Sequence, residues 1–162
     1  MLDDKEEMKT RSEMHVNISL NLMFIAFTIF TFIVAINQDM LKNDPVLAAQ
    51  LAMSIPFFMG SIQARSKQAH HADSKRLENF GYVCFIFAYG FLINTVGILL
   101  ATFINIYVSI AFFIVNCLIA VLYSDIIIGM YQMRNLKQRL LKDSFFISFI
   151  LILGLLHAVG VY

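Results

Sequence analysis

Residues 80–130 constrain this chain more than any other feature: 51 consecutive positions hold a single charged residue, Asp125. A helix rises about 1.5 Å per residue and a bilayer core is about 30 Å thick, so this run is too long for one crossing and suits two. The halves, 80–102 and 106–130, then need a tight turn at residues 103–105. Three further apolar stretches, 18–36, 46–63 and 145–162, are of crossing length or close to it. Asn17 and Asn37 bracket the first. Asp44 is a good N-cap and Pro45 suits the first helical position, which needs no N–H partner, so together they mark the start of the second. The expectation is an all-α integral membrane protein, a five-helix bundle forming one membrane domain over residues 1–162.

Composition points the same way. Of the 162 residues 59% are hydrophobic and 14% charged, whereas a soluble domain carries about 25% charged residues. A core of 18.5 kDa cannot take in that apolar excess, and the mean hydropathy is +0.74, so lipid is the expected solvent. A soluble enzyme is excluded on this ground. The net charge of +1 argues against nucleic-acid binding, and two cysteines against a disulfide-built module. The apolar runs are continuous, not alternating, which argues against a membrane barrel. The first stretch is too long for a secretory signal and lacks a small-residue cleavage site, so it is expected in the mature chain. No Cys-x-x-Cys, His-Glu-x-x-His or Gly-x-Ser-x-Gly occurs, and neither an enzyme nor a cofactor is expected.

Lysine and arginine set the orientation, because cytoplasmic loops of membrane proteins are enriched in both. The leader 1–16 carries Lys5, Lys9 and Arg11; the loop 64–79 carries Arg65, Lys67, Lys75 and Arg76; the loop 131–144 carries Arg134, Lys137, Arg139 and Lys142. Eleven of the twelve basic residues thus fall on one side of a five-span chain, with Lys42 alone on the other. A four- or six-span count would destroy this asymmetry. The N-terminus is therefore placed in the cytoplasm and the C-terminus outside, in a multi-pass protein of the cell membrane. Acidic residues early in the leader and basic ones after them suit a helix dipole and extend the first helix outward.

The loops carry two further signals. His70, His71 and Asp73 are metal-ligating types, but adjacent histidines do not share a helix face, and a solvated loop explains them. In 131–143, Met133, Leu136 and Leu140 recur at helical spacing while Arg134, Lys137, Arg139 and Lys142 cover the rest. Such a segment either continues the fourth helix or lies on the headgroups, where it meets anionic lipid or docks a partner; Arg65 and Lys67 are grouped with it as lipid- or partner-facing.

Each long span also shows a small or polar stripe at helical spacing. The first carries Asn17, Asn21, Thr28 and Thr31. The second carries Gln50, Ser54 and Ser61 beside Pro56, which is expected to kink it. The third aligns Gly90, Asn94, Gly97, Ala101 and Asn105, and the fourth Ser109, Asn116 and Ala120. In lipid such stripes serve as packing seams, with Gly90, Gly97, Ala101 and Pro56 as packing positions, or else converge on a hydrated path. Four stripes are many for one bundle, so some are expected to meet a neighbouring copy.

Three intramembrane groups stand apart. Asp125 either neutralises Arg65 or Lys67 or serves a cation or proton. His157 either titrates near neutral pH or packs against a carbonyl or the terminal carboxylate. Cys84 and Cys117 differ in expected depth by ~10 Å, too far for a disulfide, and read as packing residues. The leading functional expectation is an oligomeric channel- or transport-like protein for a small ion or solute, using Asp125, Asn94, Asn116, Gln50, Asn21 and His157. The alternative is a non-transporting scaffold or regulatory subunit that docks a partner or anionic lipid through its basic loops.

Overall fold

A computed structural model describes the backbone of residues 2–70, 75–130 and 136–160, and the side chains of 9–68, 75–122 and 143–160. Among these residues there is no strand. The helices are α1 (Leu2–Asn43), α2 (Pro45–His70), α3 (Lys75–Phe103), α4 (Ile106–Met130) and α5 (Leu136–Ile150), the last running into a π-helical turn, Leu151–Leu156. Among the described residues, three helical stretches are long and apolar enough to cross a membrane: Lys9–Asn43, Pro45–Gln68 and Lys75–Phe103. Two shorter apolar ones are Ile106–Leu122 and Asp143–Leu156. The chain divides into two units, Met1–Leu92 and Ile93–Tyr162.

Local chemistry explains where the helices stop. Asn37 leaves helical geometry (φ −156°, ψ 82°), so the apolar part of α1 ends at the residue that brackets it. Asp44 Oδ1 accepts from Leu47 N at 2.9 Å, which satisfies one of the free N–H groups that open α2. The turn between α3 and α4 falls at Ile104 and Asn105, as spacing requires, and Asn105 Oδ1 accepts from Tyr107 N at 2.9 Å. Gly160, at φ +74°, follows the last helical residues in the left-handed conformation that glycine adopts at low cost. Residues 136–143 belong to the helix that begins at Leu136, while α4 is described only to Met130. Of the basic segment, residues 136–143 thus fall in α5, and residues 131–135 lie outside the described residues.

In the first unit α1 packs on α2 along a seven-residue repeat. The buried positions of α1 are Ser12, Ser19, Ala26 and Ile33, and α2 buries Leu47, Ser54, Ser61 and Gln68 in equal steps. Ser19 Oγ and Ser61 Oγ lie 3.4 Å apart, and the Arg65 charge acts on His15. Going four residues up α1 means going four down α2, so the pair is antiparallel. Continuing that register sets Ser12 toward Gln68, Ala26 toward Ser54 and Ile33 toward Leu47. Such a repeat is the spacing of a left-handed helix pair, and serine and alanine let the backbones approach closely.

The α2–α3 contact uses aromatic rings. Phe57 stacks on Phe87 with centroids 5.4 Å apart and reaches Phe91 at 5.8 Å, while Phe58 meets Phe85 edge-on at 6.4 Å. Ring pairs of this kind add about 0.5–1.5 kcal/mol each beyond burial. Beside them the helices close in at glycines: a Cβ on Gly60 would stand 3.1 Å from Cys84 Sγ, and one on Gly81 would stand 3.1 Å from Ala64 Cβ.

Neither the polar stripe of α1 nor Pro56 lies in the α1–α2 seam. Asn17, Asn21, Thr28 and Thr31 are all exposed, on the side of α1 away from its seam. Both threonine hydroxyls donate to their own helix, to Phe24 O and Phe27 O, so they need no neighbour. Pro56 is also exposed, and α2 continues through it to His70, so it takes no part in the seam.

Candidate functional site

In the second unit the turn at Asn105 brings α4 back along α3. Ser109 Oγ donates to Gly97 O at 2.7 Å, a short bond between two buried residues. One turn further along α4, Phe113 is fully buried. A Cβ on Gly97 would lie 2.1 Å from Phe113 Cζ, and one on Gly154 would lie 2.6 Å from Phe113 Cε1. The ring therefore occupies the space of two absent side chains, one on α3 and one in the π-turn.

Asn94, one helical turn before Gly97, faces the same place. Its residue exposure is 0%, and a Cβ on Gly154 would lie 2.4 Å from its Oδ1. Among the described residues, neither Oδ1 nor Nδ2 of Asn94 has a hydrogen-bond partner. A carboxamide offers two donors and an acceptor, and burying one unmet costs about 2–7 kcal/mol depending on the reference. The π-turn that carries Gly154 is itself a departure from regular helix, and such turns are found frequently at functional sites. Its end is marked by His157, half-buried, whose backbone N–H donates to Gly154 O. Residues 93–122 and 151–156 contain no charged side chain.

The other sequence candidates fall in both units. Gln50 is buried in α2 near the α1 seam, and Gly90 is buried in α3. Ala101 is half-buried. Asn116, also half-buried, donates through Nδ2 to Phe112 O of its own helix, so its amide is already engaged. Asn21 is exposed on α1. The side chains of Asp125, Lys137, Arg139 and Lys142, together with Arg134, His70, His71 and Asp73, lie outside the described residues. Cys84 and Cys117 are free thiols, Cys84 buried and Cys117 half-buried.

Arg65 departs from its expected place. It is not a lipid-facing group but is 91% buried, its Nη1 donating to Gln68 Oε1 at 2.9 Å. Its Nε would stand 3.4 Å from a Cβ on Gly81, and Glu78 acts on it as the opposite charge. Lys67, two residues on, is exposed. Phe113 is the residue of this candidate site that the stripes do not single out. Its position between Ser109 and Asn116 on one face of α4, opposite a glycine of α3, is the signal that finds it.

No protein-family model, curated protein or solved structure matches the chain.

Proposed function

We propose that this chain is a small multi-pass membrane protein that crosses the bilayer five times, N-terminus in the cytoplasm, and carries a small solute or ion across it. The bilayer part draws support from an inverted distribution of side chains. Serines, Asn94, Thr95 and Gln50 are buried, while Phe24, Ile114, Leu118 and Ile119 are more than half exposed. Water rejects such a surface and hydrocarbon accepts it. The single observation that carries the transport part is Asn94: a fully buried carboxamide with both polar atoms unmet, set against a π-turn. A group held at that cost is explained by a polar guest that it meets during function. Asn17 and Asn21, outward on α1, supply polar contacts for a second copy, in keeping with a homo-oligomer.

The second reading, a scaffold or regulatory subunit, is favoured by the α1–α2 seam, where Ser61 of the polar stripe of α2 packs against Ser19 of α1. In it the exposed Lys67 and the basic loops meet anionic lipid or a partner.

Reconstitution of the purified chain in liposomes separates the two. The transport reading predicts flux of at least one member of a panel of Na⁺, K⁺, H⁺, water and urea above that of empty liposomes. Asp125→Asn then tells whether the path needs charge. Wild-type protein that is folded and correctly inserted but passes nothing in the panel decides for the scaffold.

A further inference from the structure

We infer that Asn94 is the binding group of an occluded site for a small uncharged hydrogen-bonding solute, of the water or urea kind, and that Phe113 is the plug that closes it. The inference deepens the transport-like reading, on which it rests for the passage of the guest. Asn94 supplies the motive: two donors and one acceptor, all buried and unmet. Phe113 supplies the closure, because its ring fills the notch formed by the missing side chains of Gly97 and Gly154 and so covers the amide. Both glycines are needed for this. A methyl at either position would collide with the ring, and one on Gly154 would also collide with Asn94 Oδ1.

Rotation of Phe113 out of the notch vacates a ring-sized space next to a carboxamide. A water takes up about 30 Å³ in the liquid and needs two to four polar partners; Asn94 supplies two, its Nδ2 as donor and its Oδ1 as acceptor. The charge of the guest follows from the walls. Residues 93–122 and 151–156 hold no carboxylate to neutralise a cation and no lysine or arginine to hold an anion. One amide oxygen does not replace the several oxygen ligands that a dehydrated cation requires. A neutral solute with its own donor and acceptor matches the Asn94 amide on both counts.

The test uses the full chain in bilayers, with Phe113→Ala, the milder Phe113→Leu, Asn94→Leu and the double Phe113→Ala/Asn94→Leu. Elution volume and thermal unfolding in detergent identify which variants are folded. Solid-state NMR reads contact between water and the Asn94 side-chain amide, and stopped-flow light scattering and ion-sensitive dyes read flux. The expected result is a water contact at Asn94 in Phe113→Ala or Phe113→Leu, with a several-fold rise in water and urea permeability. K⁺ and H⁺ flux should stay at the level of wild type, and the double variant should return to it. A dry amide in a folded Phe113 variant overturns the inference, as does an equal rise in ion flux or a rise that survives Asn94→Leu. Should both Phe113 variants fail to fold, the wild type gives the answer. Its Asn94 side-chain protons must exchange with deuterium faster than the backbone amides of α3, because a swinging ring opens the site without unfolding the helix. Equal rates overturn the proposal. Hydration as stated with no solute flux in any variant sustains the site and removes the transport reading; wild-type flux indifferent to both residues does the reverse.

Discussion

The ring of Phe113 stands where a side chain on Gly97 would have to stand, with only 2.1 Å between Phe113 Cζ and the position of that Cβ. Gly97→Ala should therefore displace a fully buried ring and lower stability in detergent by about 1–3 kcal/mol, the usual cost of overpacking. Combined with Phe113→Leu, the same substitution should cost less than the sum of the two, with a coupling of about 0.5–3 kcal/mol. Thermal or denaturant unfolding of the four species measures the cycle, and strict additivity would mean that the ring does not fill the notch.

The α1–α2 register makes a prediction that needs no functional assay. In a chain lacking Cys84 and Cys117, the pair Ser19→Cys and Ser61→Cys should cross-link within one molecule under mild oxidation, since the two hydroxyls lie 3.4 Å apart. Ala26→Cys with Ser54→Cys should also link, one repeat along the same seam. Asn21→Cys with Ser61→Cys should not, because Asn21 is on the exposed side of α1. Gel mobility with and without reductant reads all three.

Asp44 closes the start of α2 with a 2.9 Å bond to Leu47 N. Asp44→Ala removes that acceptor and should cost ~1 kcal/mol, within the range of about 0.5–2 measured for such caps. Asp44→Asn or Asp44→Ser should restore most of the loss, as both side chains accept the same bond. A thermal-unfolding series of the four proteins distinguishes capping from any role of the negative charge.

Parts of this fold can be read from the residues because they rest on local chemistry. Asn37 and Asn105 break apolar runs, Asp44 and Pro45 open a helix, and the length of 80–130 forces the turn at Ile104 and Asn105. The seam of α1 is less visible, since polarity is a poor guide to it. Thr28 and Thr31 satisfy themselves on backbone carbonyls and stay outside, while Ser12, Ser19, Ala26 and Ile33 are chosen for small size and a seven-residue step. Arg65 looks like a surface cation until α3 lies over it, because Gly81 has no side chain to keep the guanidinium out. Asn94 and Gly97 can be singled out from spacing alone. Their relation to Phe113 and to the π-turn cannot, as the run Leu151–Leu156 is uniformly apolar and gives no sign of its widened helix.

The reading of this chain as a five-span membrane protein is tested most directly by labelling single cysteines with an impermeant reagent in intact cells, in a background free of Cys84 and Cys117. Probes replacing Lys42 and Tyr162 should react from outside, and those replacing His70 and Gln138 only after the cells are opened. Reaction at Gln138 in intact cells, or the same accessibility at Lys42 and His70, would contradict the span count and with it the path proposed through the bilayer.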